Sequence, residues 1–150
     1  MKRNLVLVSL ALICSFSAAA QDKGYWRANS QNANSITGDI AIADAKMTID
    51  FLVFPIAQIR ALTPVEISAV FDADGTVAQA GNLYRVNIPA GQHFLKKNTL
   101  CGTEDTQWMA TWIDGRNLHV AFFSGANMPV FKFEAITNST DVCGSFTYSR

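Results

Sequence analysis

The stretch QWMATWIDGRNLHVAFFS, residues 107–124, decides the reading of the fold. Two runs rich in aromatic and β-branched residues flank Asp114-Gly115-Arg116-Asn117, a cluster of turn formers. Strand formers on both sides of so short a polar break read as an antiparallel hairpin. Downstream, 125–129 reads as a turn, 130–136 as a strand and 144–149 as the last strand. Upstream, Leu83, Arg85 and Asn87 alternate with Tyr84, Val86 and Ile88 until Pro89-Ala90-Gly91 ends the run. Residues 92–100 are the one place where a short helix is expected. Earlier still, strands are expected over 25–28, 36–43, 47–53 and 65–71, with a polar loop at 29–35 and a turn at 44–46. The β pattern continues through 54–62, where Pro55 marks an edge or a bend because proline cannot donate to the ladder.

This spacing yields roughly eight strands joined mostly by short connections. The expected fold is all-β, with about eight antiparallel strands in a small up-and-down, lipocalin-like barrel, because closure removes exposed edges. A two-sheet β-sandwich is the alternative.

Residues 1–20 have the layout of a secretory signal peptide. Lys2 and Arg3 supply the positive start, 5–16 the apolar stretch, and Ala18-Ala19-Ala20 the small residues that a signal peptidase requires before Gln21. The apolar run is shorter than the roughly 20 residues that span a bilayer. Cys14 follows Ile13, whereas a lipoprotein cysteine normally follows Gly, Ala or Ser, so it is read as part of the leader. The expectation is cleavage between Ala20 and Gln21 and a single β domain, 21–150, that is periplasmic or secreted.

Removing Lys2 and Arg3 from twelve Lys+Arg leaves ten against twelve Asp+Glu, a net charge of about −2. A near-neutral chain with dispersed basic residues lacks the footprint of a nucleic-acid binder. The one basic doublet, Lys96-Lys97, reads as a solvated pair. Export leaves two cysteines, Cys101 and Cys143, and an isolated pair in an oxidising compartment is expected to form a disulfide. Neither Cys-x-x-Cys spacing nor a His cluster supports a metal, and no cofactor is expected.

No catalytic signature stands out. The run from Asp72 to Gly75 imitates a calcium loop, but Val77 and Leu83 occupy the places that demand Gly and Glu. His93 and His119 have no recognisable catalytic partner, and Gly-x-Ser-x-Gly is missing. Asn138-Ser139-Thr140 fits a glycosylation sequon and reads as a chance match in a polar loop. Segments of five to eight residues fall short of the roughly ten-residue strands of membrane barrels, so no membrane span is expected in the mature form.

The stretch LCGTEDTQWMATW at 100–112, AFFSG at 121–125 and CGSFTY at 143–148 resembles small exported bacterial proteins of uncharacterised function. The resemblance implies bacterial export and paired cysteines and carries no catalytic residues.

Two functions remain. Trp108 and Trp112 lie four apart in one strand and share a face; Phe122 is expected opposite them, and Phe131 and Phe133 on the next strand. If that face points inward, Trp108, Trp112 and Phe122 line a site for a small apolar or amphipathic ligand. Alternatively they fill the core, and the protein is a protein–protein module, for example an inhibitor of a hydrolase that attacks the cell envelope. It would act through the loops at 91–98 and 125–129.

Overall fold

In the computed structural model, residues 22–75 and 80–150 are described. Eight antiparallel strands run in chain order around a closed barrel. They are β1 (Gly24–Ala28), β2 (Ile40–Ile42), β3 (Lys46–Ile49), β4 (Leu52–Ala61), β5 (Ala80–Ile88), β6 (Thr106–Asp114), β7 (Asn117–Phe123) and β8 (Val142–Ser149). β1 pairs with both β2 and β8, which closes the ring. The up-and-down barrel is therefore the architecture, and the sandwich is not. β4 reaches ten residues and β5 and β6 nine each, longer than the segments expected from the sequence.

The barrel axis is filled by side chains. Trp26, Met47, Ile49, Tyr84, Met109, Val120, Phe122, Phe146 and Tyr148 are wholly or almost wholly buried and belong to one contact cluster. Phe122 and Phe146 meet edge to face at 5.3 Å. An eight-stranded barrel is just wide enough for its interior to fill in this way.

A second apolar layer lies outside the wall of β5, β6 and β7. Helix α1 (Pro64–Phe71) buries Ile67 against Leu83, Ala110, Ala121 and Phe123. Phe131 joins them from the β7–β8 connection, meeting Phe123 edge to face at 6.0 Å. Gly81 on β5 permits the approach of α1, since a Cβ there would stand 2.9 Å from Ile67 Cδ1 and 2.5 Å from the Thr111 carbonyl oxygen.

Four expectations need correction. Residues 65–71 are α1, not a strand. Thr63 and Glu66 form a reciprocal capping box, and Pro64 opens the first turn, which outweighs the β propensity of Val65, Ile67 and Val70. Residues 130–136 are not a strand either: 130–132 is irregular, followed by the short α2 (Phe133–Thr137). β7 already pairs with β8, so this connection has no place in the ring. Phe131 turns inward onto the outer layer, whereas Phe133 is exposed, so the two share no face. The expected strand over 47–53 is broken: the chain reverses at Asp50-Phe51, and Ile49 faces Leu52 across the turn. Finally, the polar loop at 29–35 winds into helical turns ending in a π-helical turn over Ala33–Thr37.

Cys101 and Cys143 form a disulfide, as expected, with Cα atoms 4.9 Å apart. It ties the segment before β6 to the start of β8.

Candidate functional site

The expected ligand site is divided by the wall. Trp108 and Trp112 do share a face, but it is the outer one. The β6–β7 turn leaves two residues, Gly115 and Arg116, between the paired Asp114 and Asn117. That register sets Met109 opposite Phe122 and Trp108 opposite Phe123. Phe122 therefore points into the packed interior, on the other side of the sheet from both tryptophans. Trp108 is covered by the Arg85 guanidinium at 4.7 Å, and its indole nitrogen donates to the Gly125 carbonyl at 3.2 Å. Trp112 stacks on His119 at 4.5 Å beneath Phe71 of α1. Burial pushes the His119 pKa down, opposed by Asp114. These aromatics hold the outer layer together.

The feature that packing does not explain lies on the opposite side of the barrel. Asp50 and Phe51 form the two-residue turn between β3 and β4, with φ of 48° and 64°. A tight hairpin turn needs two such left-handed residues, and Asn-Gly or Asp-Gly normally supplies them. Asp tolerates the conformation, but a bulky residue there is an outlier. Phe51 is nevertheless in place and 96% exposed. Leu52 and Val53 beside it are also exposed.

Phe51 borders a groove of about 440 Å³ with Tyr25, Thr37, Asp39, Ile40 and Leu95 among its lining residues. The ladder aligns Tyr25, Ala41, Thr48 and Val53 across β1 to β4 as an outer row. The Tyr25 hydroxyl donates to Asp39, whose other oxygen accepts from the Ala28 N–H at 2.9 Å. Those two hydrogen bonds, the Tyr25 one foremost, hold the Asp39 carboxyl below its usual range. The floor requires glycine at 38, where φ is 62° and a Cβ would meet Leu95 Cδ1 at 3.1 Å.

Leu95 comes from the 91–98 loop singled out from the sequence. The short helix expected there is a single 3-10 turn, Leu95–Lys97, with Lys96 and Lys97 at φ of 54° and 61° and both exposed. The loop is braced from within. Phe94 is buried and packs edge to face on Phe54 at 5.9 Å, and its N–H donates to the Asn98 carbonyl at 2.8 Å. Asn98 Nδ2 donates to the Ser35 carbonyl at 2.9 Å, and His93 Nδ1 contacts the Lys97 carbonyl at 2.9 Å. Among the described residues, five non-glycine residues have positive φ; four of them, Asp50, Phe51, Lys96 and Lys97, lie at or next to the groove, and the fifth is Asp72. Backbone strain concentrated in this way is characteristic of functional surfaces.

The other loop, 125–129, contributes instead to a groove of about 390 Å³ shared with 135–141, with Met128 and Val130 exposed. The structure does not bring the two loops to one groove. Among the described residues, no three His, Cys, Asp or Glu side chains converge to hold a metal, and no helix is long and apolar enough to cross a membrane. Compared with family models, curated proteins and solved structures, the chain matches none. The resemblance to small exported bacterial proteins therefore rests on its motifs alone.

Proposed function

We propose that this chain is an exported protein-docking module, and that it binds its partner through Phe51 and the adjoining 91–98 loop. The observation that carries this reading is the exposure of Phe51 at a turn whose geometry calls for glycine. A lone exposed aromatic needs no explanation, but one retained against its backbone preference does. Buried aromatics are the usual anchors of protein interfaces. Phe51 projects from the barrel beside the groove, and a projecting aromatic side chain seats in a concave partner.

The charges next to the anchor narrow the partner. Lys96 and Lys97 follow Leu95 and are exposed, so the complementary surface is an apolar slot with an acidic rim. The active-site clefts of glycoside hydrolases carry paired carboxylates. An inhibitor of such a hydrolase attacking the cell envelope matches that chemistry. It also suits the compartment expected from the leader and from the disulfide.

The test is inhibition of a panel of peptidoglycan-cleaving glycosidases by the mature protein, with Phe51→Ser and Lys96→Glu/Lys97→Glu alongside. Inhibition lost in Phe51→Ser, and weakened with reduced salt dependence in the double charge variant, supports the reading. An equally potent Phe51→Ser protein overturns it. So does a native mass spectrum with a small-molecule adduct and no inhibition of any enzyme, which returns the function to ligand carriage.

A further inference from the structure

The groove beside Phe51 has a charge that the anchor leaves unused. Tyr25, Ile40, Ala41, Leu95 and Phe51 give it apolar walls, and its charged lining residues are both acidic, Asp39 and Asp50. The ladder brings these two together. Ile40 faces Ile49 across β2 and β3, so Asp39, one residue before β2, and Asp50, one residue after β3, meet at the end of that pairing. Like charges set side by side across strands are destabilising. Among the described residues the ion pairs are Lys23–Asp44 and Arg60–Glu66, and neither groove carboxylate takes part in one. Arg27 on β1 favours the ionised Asp39 through its charge, but it is exposed and does not line the groove. Each oxygen of Asp39 accepts one hydrogen bond, from the Tyr25 hydroxyl and from the Ala28 N–H. A carboxylate has about four acceptor positions, so Asp39 keeps two for a further donor.

We infer that the groove receives an arginine side chain of the protein partner. The inference rests on the docking reading above and names what the partner must present there. A guanidinium is planar and weakly hydrated, and it stacks on aromatic faces while its N–H groups reach carboxylates. Tyr25, 58% exposed, supplies the face, and Asp39 and Asp50 supply the acceptors. Lysine carries a compact, strongly hydrated charge with no planar face to stack. The charge also fixes how the partner sits. Lys96 and Lys97 are exposed and lie outside the groove lining, so the surface is acidic in the groove and basic on the loop. The complementary partner has an arginine on one side of its apolar slot and carboxylates on the other. The reversed orientation would bring like charges together.

The experiment titrates the oxidised mature protein, labelled with nitrogen-15, with the blocked tripeptide acetyl-Gly-Arg-Gly-amide and follows the amide shifts. The citrulline tripeptide has the same shape without the charge, and the lysine tripeptide has the charge without the plane. The arginine peptide is expected to move the amides of Ala41, Thr48 and Phe51, and less so as salt is raised. The citrulline peptide is expected to bind about fivefold more weakly, the upper end for an exposed ion pair, with the lysine peptide between them. In Asp39→Asn/Asp50→Asn the arginine-to-citrulline ratio falls to about one. Asparagine tolerates the left-handed turn as aspartate does, so Asp50→Asn alone, which should lower that ratio, serves if the double variant does not fold. No shifts with the arginine peptide, equal binding of the citrulline or lysine peptide, or an unchanged ratio in the variants overturns the inference. Shifts of the same amides with diacetylchitobiose and none with the arginine peptide make the groove a glycan site and overturn it too. No enzyme enters this titration, so its failure leaves inhibition through Phe51 standing, and a failure of inhibition leaves its result standing.

Discussion

Replacing Phe51 with glycine is expected to stabilise the protein while abolishing docking. A left-handed conformation costs an L-residue roughly 1–2 kcal/mol relative to glycine, and Phe51 holds φ at 64°. Glycine returns part of that, roughly 0.5–1 kcal/mol, through the larger entropy it loses on folding. The ring contributes little in the other direction because it is 96% exposed. The net gain is about 0.5–1 kcal/mol, or a rise in melting temperature of roughly 2–5 °C for a domain of this size. Urea denaturation followed by tryptophan fluorescence reads it directly, Trp26 being wholly buried; with a slope of about 1–3 kcal/mol/M, the midpoint moves up by a few tenths of a molar. Phe51→Ala is the control. It removes the ring but keeps the Cβ that opposes the conformation, so its midpoint stays within about 0.5 kcal/mol of wild type while docking is lost equally. A lower midpoint for Phe51→Gly, or a Phe51→Ala protein stabilised as much as the glycine variant, would refute the reasoning.

Three further outcomes follow from the geometry. Cys101→Ser/Cys143→Ser opens a loop with a sequence separation of 42; chain entropy sets the loss at about 4 kcal/mol, measured by urea titration against the oxidised protein. Gly81→Ala drives a Cβ to 2.5 Å from the Thr111 carbonyl oxygen and 2.9 Å from Ile67; α1 must lift or the ladder must shift, costing about 1–3 kcal/mol, with the loss of amide protection concentrated in α1. His119 gives the mildly acidic limb of the stability profile. Its folded pKa lies below the ordinary 6.5, chiefly through burial, so the unfolded chain binds the proton first. The contribution is whole above about pH 6.5 and is lost progressively as pH falls towards the depressed value. His119→Gln should flatten the profile in that window. It leaves the lower limb, where Glu66, held below 4.5 by the Arg60 guanidinium, loses its contribution on protonation.

The barrel was legible because the strand ends are written in turn formers: Gly115-Arg116, Pro89-Ala90-Gly91 and Asp44-Ala45 all fall between strands. The disulfide was legible from counting. Two local signals were present and were outvoted by apolar content. Thr63-Pro64-Val65-Glu66 is a helix start by its capping box and N1 proline. In the hairpin, a two-residue turn places each even-numbered residue of β6 opposite an odd-numbered one of β7, so Trp108 and Phe122 cannot share a face. The direction of that face was not legible, because both sides of β6 are apolar. One side packs in the barrel and the other beneath α1, so alternation carries no inside–outside contrast. Phe51 was missed for the reason that makes it interesting: nothing in Asp50-Phe51 reads as a turn, and the apolar run continues through it.

That same asymmetry supports the proposed docking surface. α1 and the segment around Phe131 cover the outer wall of β5 to β7, so aromatics there belong to an internal layer although they lie outside the barrel. Among the described residues, the outer row of β1 to β4, Tyr25, Ala41, Thr48 and Val53, has no such cover, and Tyr25 and Val53 are more than half exposed. An interior filled from Met47 to Phe146 gives the barrel the rigidity of a scaffold. Strain in Asp50-Phe51 and Lys96-Lys97 persists because that scaffold holds both turns from beneath, through Ile49 on one side and the Phe54–Phe94 contact on the other. A turn held rigidly in an unfavourable conformation loses little further entropy when its side chain is buried by a partner, and this is the property an anchor requires.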